Sequence, residues 1–264
     1  MSDGEFAQFQ RFIYEAAGIS LSHAKKAMVA GRLASRLQAS RSRSYGEYLR
    51  LLRRGESPLE LQTAVDLLTT NETYFFREPK HFEFLRGILT DRSIPRAGLR
   101  VWSAAGSTGE EAYSIAMLLQ DCLPGAGWEV VASDISSRVL ERARTGHYPL
   151  SRIQHMPPGY LRRFCLNGRG PQQGTLLIEG SLRSKVRFLQ VNLNESLPAL
   201  GQFDVVFLRN VLIYFDLATK RQVVQRVIST LKPGGWLFIG HTETLTDICD
   251  TLERTGPAIF RKPP

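Results

Sequence analysis

The residues best suited to chemistry cluster around an acid at the end of an apolar run. Asp134 stands in Ser133-Asp-Ile135 and lies 28 residues after Gly106 of the string Arg100-Val-Trp-Ser-Ala-Ala-Gly-Ser-Thr-Gly-Glu-Glu111. In that string an apolar run ends near Ala105, small residues make a turn, and a helical segment opens after Gly109. Small residues let a ligand approach the backbone, and a carboxylate after the next strand can accept hydrogen bonds from both hydroxyls of a ribose. The turn lacks the full G-x-G-x-x-G pattern. Glu110 and Glu111 would also repel a phosphate at the helix N-terminus. A nicotinamide dinucleotide therefore fits poorly. A cofactor with an ammonium group and a sulfonium but no phosphate fits better, and S-adenosylmethionine meets that description. Taken alone, Glu110 or Glu111 could equally serve as a helix cap.

A second group follows in Phe203-Asp-Val-Val-Phe-Leu-Arg-Asn-Val-Leu-Ile-Tyr-Phe215, with Leu231-Lys-Pro-Gly-Gly-Trp-Leu-Phe238 beyond it. A strand leaving through Arg-Asn puts Arg209, Asn210 and Tyr214 at the carboxyl edge of a sheet, where such folds bind ligands. Val211 and Ile213 read equally well as core, and Tyr214 as either core or site. No catalytic histidine and no paired nucleophile stand out.

The elements that must hold these residues are legible in the hydrophobic pattern. From Leu99 onward, apolar runs of strand length (Leu99–Ala105, Glu129–Ile135, Val186–Leu193, Phe203–Arg209, Trp236–His241 and Ala258–Arg261) alternate with helical segments at Gly109–Leu123, Ser136–Thr145 and Leu217–Leu231. Near-continuous apolar strands between helices predict a parallel sheet covered on both faces. The stretch from about 148 to 185 breaks the alternation. It holds Pro149, Pro157 and Pro158, a glycine-spaced segment (Gly168, Gly170, Gly174), and the strand-like Thr175–Ile178. A connection of that length predicts a small subdomain.

Residues 1 to about 70 carry helical periodicity only. Phe6, Phe9, Phe12 and Ile13 recur at helical spacing up to Gly18, and a second helix is expected from Ser22 to Gln38. Further helices fit Tyr45 to Arg53 and Pro58 to Leu68. The chain carries 34 Lys and Arg against 25 Asp and Glu, a net charge of +9. Nine of those bases and the single acid Glu47 lie between His23 and Arg54, so the excess is focused there. Lys25, Arg32 and Arg36 fall within about 40° of one another on a helix turning about 100° per residue. Such a patch implies an acidic partner, either nucleic acid or a protein surface. The three cysteines (Cys122, Cys165, Cys249) are far apart and odd in number, so neither a metal site nor a disulfide framework is expected. No run of about 18 apolar residues crosses a membrane, and the N-terminus lacks a secretory pattern, so a cytoplasmic protein is expected.

Five motifs taken together are specific. Thr69-Thr-Asn-Glu-Thr-Tyr-Phe-Phe-Arg-Glu78, Trp102-Ser-Ala-Ala-Gly-Ser-Thr-Gly-Glu-Glu111, Ala132-Ser-Asp-Ile135, Arg209-Asn-Val-Leu-Ile-Tyr-Phe-Asp216 and Leu231-Lys-Pro-Gly-Gly235 resemble the chemotaxis receptor methyltransferases, the CheR family, in order and spacing. The resemblance implies an α/β fold: a Rossmann-like S-adenosylmethionine methyltransferase domain (76–264), a small N-terminal all-α docking domain (1–75), and a β-subdomain inserted at about 148–185. The implied activity is transfer of a methyl group from S-adenosylmethionine to glutamate side chains of chemoreceptor cytoplasmic helices, with S-adenosylhomocysteine as product.

By the same resemblance, Asn71, Thr73 and Arg77 are cofactor contacts before the first strand, and Arg77 borders the reaction centre. Glu111 and Asp134 hold the methionine ammonium and the ribose. Asn192 with Leu193, and Asn210 with Val211, surround the adenosine, and Tyr214 stands beside the departing methyl. Lys25, Arg32 and Arg36 would dock acidic receptor helices. The Gly168, Gly170 and Gly174 loop would capture a receptor C-terminal peptide along an edge at Thr175–Ile178, with Arg162, Arg163 and Arg169 nearby. A monomer without metal or nucleic acid is expected. The alternatives are a nucleic-acid methyltransferase, favoured by the basic helix, and a non-catalytic signalling module that keeps the cofactor fold.

Overall fold

The N-terminal helices begin and end where the sequence supplies caps. In the computed structural model, which describes residues 1–91, 94 and 98–264, α1 (Asp3–Ala17) opens on a capping box. The Ser2 hydroxyl accepts from the Glu5 N–H, and Glu5 accepts from the Ser2 N–H. Gly18 closes the helix at φ +70°, a conformation in which glycine meets no Cβ penalty. A 3₁₀ turn at His23–Lys25 leads into α2 (Lys26–Ala39). Ser44 caps α3 (Tyr45–Arg54), and Ser57 caps α4 (Pro58–Leu68), with Pro58 in the first turn. The buried faces of these four helices (Phe6, Phe9, Val29, Leu33, Tyr48, Val65) make one core. A further helix that the sequence did not announce, α5 (Pro79–Thr90), follows the Thr69–Glu78 segment.

The second half alternates as expected at first: β1 (Leu99–Ser103), α6 (Glu110–Cys122), β2 (Trp128–Asp134) and α7 (Ser137–Thr145). The inserted segment follows, with β3 (His147–Pro149), α8 (Tyr160–Phe164), β4 (Cys165–Asn167), β5 (Thr175–Ile178) and the short α9 (Gly180–Arg183). The chain then returns through β6 (Val186–Gln190), β7 (Phe203–Leu208), α10 (Leu217–Ser229), β8 (Leu231–Ile239), β9 (Glu253–Gly256) and β10 (Ile259–Arg261). The main sheet has the order β6-β2-β1-β7-β8-β10-β9. Successive residues of its central strands enter opposite cores: Val101, Val130, Val205, Phe207 and Phe238 on one side, Trp102, Val131, Val206, Leu208 and Leu237 on the other. That is why these strands read as continuous apolar runs rather than alternating ones.

Two expectations need correcting. Only the β6-β2-β1-β7-β8 portion is parallel; β10 runs antiparallel to both β8 and β9. A parallel return calls for a crossover, usually helical, and among the described residues no helix lies between β8 and β10. In the inserted sheet the order is β3-β5-β4, so Thr175–Ile178 is the middle strand and not an edge. The open edges belong to β3 and β4, whose short lengths hid them from periodicity.

Strand order reverses between β1 and β7. The crevice at that point, outside the carboxyl ends of β1, β2 and β7, is where open α/β sheets bind ligands.

Candidate active site

The crevice is a cleft into which widely separated parts of the chain converge. Asn71, Thr73, Arg77, Glu111, Asp134, Asn192, Leu193, Asn210, Val211 and Tyr214 all line it. Ala17 and Ile19 at the end of α1 line it too, which the sequence reading did not foresee.

Asp134 sits at the end of β2 and is buried. One carboxylate oxygen accepts the Ser107 N–H (2.9 Å), the other the Ser136 N–H (3.0 Å). Each oxygen keeps a lone pair for a further donor. Burial pushes the Asp134 carboxyl up to about 6, against the two backbone hydrogen bonds, which favour the charge. The nearby Asp66 adds to the rise. Asp66 belongs to α4 but caps α7: its carboxylate takes the Ser137 N–H, the Ser137 hydroxyl and the Arg138 N–H. The helical bundle is thus fastened beside Asp134.

Three N–H groups of the turn after β1 are spent internally. Gly106 donates to Ser133 O, Ser107 to Asp134 and Gly109 to Gly106 O. The turn also separates the two glutamates. Glu110 is buried away from the cleft, accepts from the Thr108 hydroxyl (2.6 Å), and is pushed up by burial. Glu111 faces the cleft, with one oxygen on the Ser103 hydroxyl (2.7 Å) and the other on Arg209 Nη1 (2.7 Å).

The Thr69–Glu78 segment forms another wall. The Thr69 hydroxyl donates to Asn71 Oδ1 (3.1 Å), and the Ser107 hydroxyl donates to Asn71 O (2.9 Å). Arg152 of the inserted region donates to Thr73 O. Arg77 donates to Glu72 O (2.7 Å) and its guanidinium carbon lies 5.9 Å from the Tyr74 ring centre. Tyr214 is half-buried; burial raises its phenol, and the Arg77 charge opposes that rise.

Asn210 has φ +55°, a conformation that asparagine tolerates better than most residues. Its N–H reaches Glu243 (2.9 Å) and its amide donates to Glu78 (3.2 Å). Glu243 also accepts from Gly240 N–H (2.6 Å) and Ile213 N–H (3.3 Å), so one partly buried carboxylate fixes the loop bearing Asn210 and Tyr214. Burial raises Glu243 despite these bonds. Glu78 closes the Thr69–Glu78 motif but carried no signal of its own, and Glu243 lies in none of the motifs. Asn192 lines the cleft, but its amide donates to Ala16 O and Glu195 and its oxygen accepts from Asn194 N–H. Both of its amide hydrogens are therefore occupied, while its oxygen keeps one lone pair for a further donor.

The three basic residues divide. Lys25 is exposed. Arg32 donates from Nη1 to Thr69 O (2.8 Å) and Leu67 O (3.3 Å), capping the C-terminus of α4. Arg36 pairs with Glu60, which also accepts from the Tyr48 hydroxyl (2.6 Å). Of the loop glycines, Gly168 has a clear steric reason: a Cβ there would lie 1.9 Å from Gln172 O. Gly170 and Gly174 have φ +56° and +83°.

The chain is an S-adenosylmethionine-dependent methyltransferase, with a largely parallel sheet and a ligand cleft at its strand-order reversal. The chain belongs to the CheR methyltransferase family: its all-alpha domain model matches residues 4–69, and its SAM binding domain model matches residues 71–258. The chain is 42% identical to a chemotaxis protein methyltransferase of Salmonella typhimurium, across 98% of this chain and 90% of that one. It is 42% identical to the Escherichia coli protein of that name (98% and 91% covered) and 40% identical to chemotaxis protein methyltransferase 2 of Pseudomonas aeruginosa (97% and 92%). Among the described residues no helix is long and apolar enough to cross a membrane.

Proposed function

We propose that the protein methylates side-chain carboxylates of glutamates on chemoreceptor cytoplasmic helices, forming methyl esters. The observation that carries this reading is the convergence of Asn71, Thr73, Arg77, Glu111, Asp134, Asn210 and Tyr214 on one cleft at the strand-order reversal. Bound S-adenosylmethionine supplies a methyl group made electrophilic by its sulfonium. A glutamate carboxylate is already ionised at neutral pH, so no general base is needed. The protein's task is to align that carboxylate and strip it of water. Asp134 would take the ribose hydroxyls and Glu111 the ammonium group. Arg77 would steer the incoming carboxylate, and Tyr214 would orient it.

On this reading residues 1–75 dock the substrate and 76–264 carry the chemistry. Of these three cations Lys25 is the exposed one available to an acidic helix, since Arg32 and Arg36 also brace the bundle. Residues 148–185 would hold an acidic-aromatic peptide from the receptor C-terminus by strand addition, now on the open β4 edge, where Leu166 is exposed. The peptide would raise local receptor concentration without altering the chemistry. The test is transfer of labelled methyl groups from S-adenosylmethionine to purified receptor cytoplasmic fragments. Label released as methanol by mild base marks a carboxyl ester. Base-stable label, or transfer to nucleic acid instead, would overturn the proposal.

A further inference from the structure

We infer that Glu78, acting through Arg209, is a positioning residue that sets the Glu111 carboxylate to receive the cofactor's ammonium group. The inference rests on the assignment of Glu111 made above and adds a mechanism to it. Arg209 is nearly devoid of solvent: its side chain is 1% exposed. Its guanidinium bridges two carboxylates, with Nη1 on Glu111 at 2.7 Å and Nη2 on Glu78 at 2.9 Å. Nη2 also donates to Arg77 O (2.5 Å). The bridge joins the segment before α5, the start of α6 and the end of β7.

Charge counting shows what Glu78 contributes. A guanidinium paired with Glu111 alone would neutralise it and leave little attraction for a second cation. With Glu78 sharing the guanidinium, two carboxylates surround one positive group, and the surplus negative charge faces the cleft through Glu111. In a buried setting such a surplus acts strongly on an incoming ammonium. Glu78 is itself held in place. It accepts from the Asn210 amide (3.2 Å) and the His241 N–H (3.2 Å), and its backbone has φ +59°, a conformation that glutamate adopts seldom. Burial alone would raise its carboxyl, but the Arg209 charge and these hydrogen bonds hold it below the usual range. His81 lies 3.4 Å from Glu78, and burial together with the Arg209 charge keeps its ring neutral, so it adds no competing positive charge. Donor atoms of Glu78, His81 and His241 lie within 4.8 Å of one another, but Arg209 already holds the Glu78 oxygen that a metal ion would share.

The experiment compares two ligands by calorimetry. S-adenosylhomocysteine carries the amino-acid end; 5′-methylthioadenosine shares the adenosine and sulfur but lacks it. Glu78→Gln should weaken S-adenosylhomocysteine by about tenfold, the scale of one charge-assisted contact, and leave 5′-methylthioadenosine unchanged. An equal loss for both ligands would mean that Glu78 only supports the fold, and no loss for either would also overturn the inference. Should Glu78→Gln fail to fold, Arg209→Lys carries the same comparison, since lysine keeps the charge but cannot span both carboxylates. Glu111→Gln is the control. If it closes the gap between the ligands while Glu78→Gln does not, this inference alone falls. If Glu111→Gln leaves the gap intact, the assignment of Glu111 falls with it.

Discussion

The ionisation of Asp134 makes cofactor affinity depend on pH in a calculable way. Burial lifts this carboxyl from 3.8 to about 6 in the ligand-free protein. If only the ionised form serves both ribose hydroxyls, S-adenosylhomocysteine should bind about tenfold more weakly near pH 5 than near pH 7. Stability moves the other way. A folded-state value above the unfolded one means that the native chain holds the proton more tightly. The contribution is complete below about pH 4 and is lost as pH rises through about 6, at about 1.4 kcal/mol per unit and about 3 kcal/mol in all. The ligand-free protein should therefore gain stability from this group over the range in which it loses affinity. Calorimetric titration from about pH 5 to 7.5, beside thermal melts of ligand-free protein, tests both slopes. Asp134→Asn should bind weakly at every pH and give a flat profile. A flat wild-type profile, or a mutant profile as steep as the wild type, would refute the assignment of the slope to this carboxylate.

Other outcomes follow from the site and the helical bundle. Arg36→Glu should lower the melting temperature, because it breaks the bond to Glu60 and sets two carboxylates together, at a cost of about 1–3 kcal/mol. Lys25→Glu should leave the melt unchanged and raise KM for receptor fragments, more so at low salt, and steady-state kinetics across ionic strength separate the two effects. Tyr214→Phe and Arg77→Ala should lower kcat at least tenfold with little change in melting, on the scale of lost orientation; wild-type turnover in both would displace the reaction centre. Deleting residues 168–174 should abolish binding of an acidic-aromatic C-terminal peptide while transfer to tailless fragments persists, as fluorescence titration and methyl-transfer assays would report.

Buried strands and a small-residue turn leave strong local patterns, so the parallel strands, Asp134, Arg209, Asn210 and Tyr214 were legible, whereas Asn71, Thr73, Arg77, Asn192 and Leu193 came only from the family resemblance. Asp134 was readable as a cleft residue from its place at the end of a strand, 28 residues after Gly106. What the sequence did not disclose depends on contacts between distant segments. Glu78 meets Arg209 across 131 positions of sequence, and no local spacing announces that pairing. Periodicity placed Lys25, Arg32 and Arg36 on one helical face, but it could not reveal that Arg32 caps α4 or that Arg36 reaches Glu60. Strands of three residues, such as β3 and β4, are too short to show a period, so β5 passed for an edge when it lies in the middle.

Ala17 at the end of α1 and Ile19 just beyond it line the cleft, Ser20 N–H donates to Tyr214 O (2.8 Å), and Ile19 pairs with Phe215. A chimera joining the helices of one relative to the sheet of another would therefore cut through the cleft and not between independent modules. Exchanging receptor preference by recombination near residue 70 would bring together mismatched halves of one binding surface. Such hybrids should regain activity when the contact pairs at Ile19–Phe215, Ser20–Tyr214 and Asp66–Ser137 are transferred as sets, which makes these pairs the natural units of exchange in engineering this enzyme.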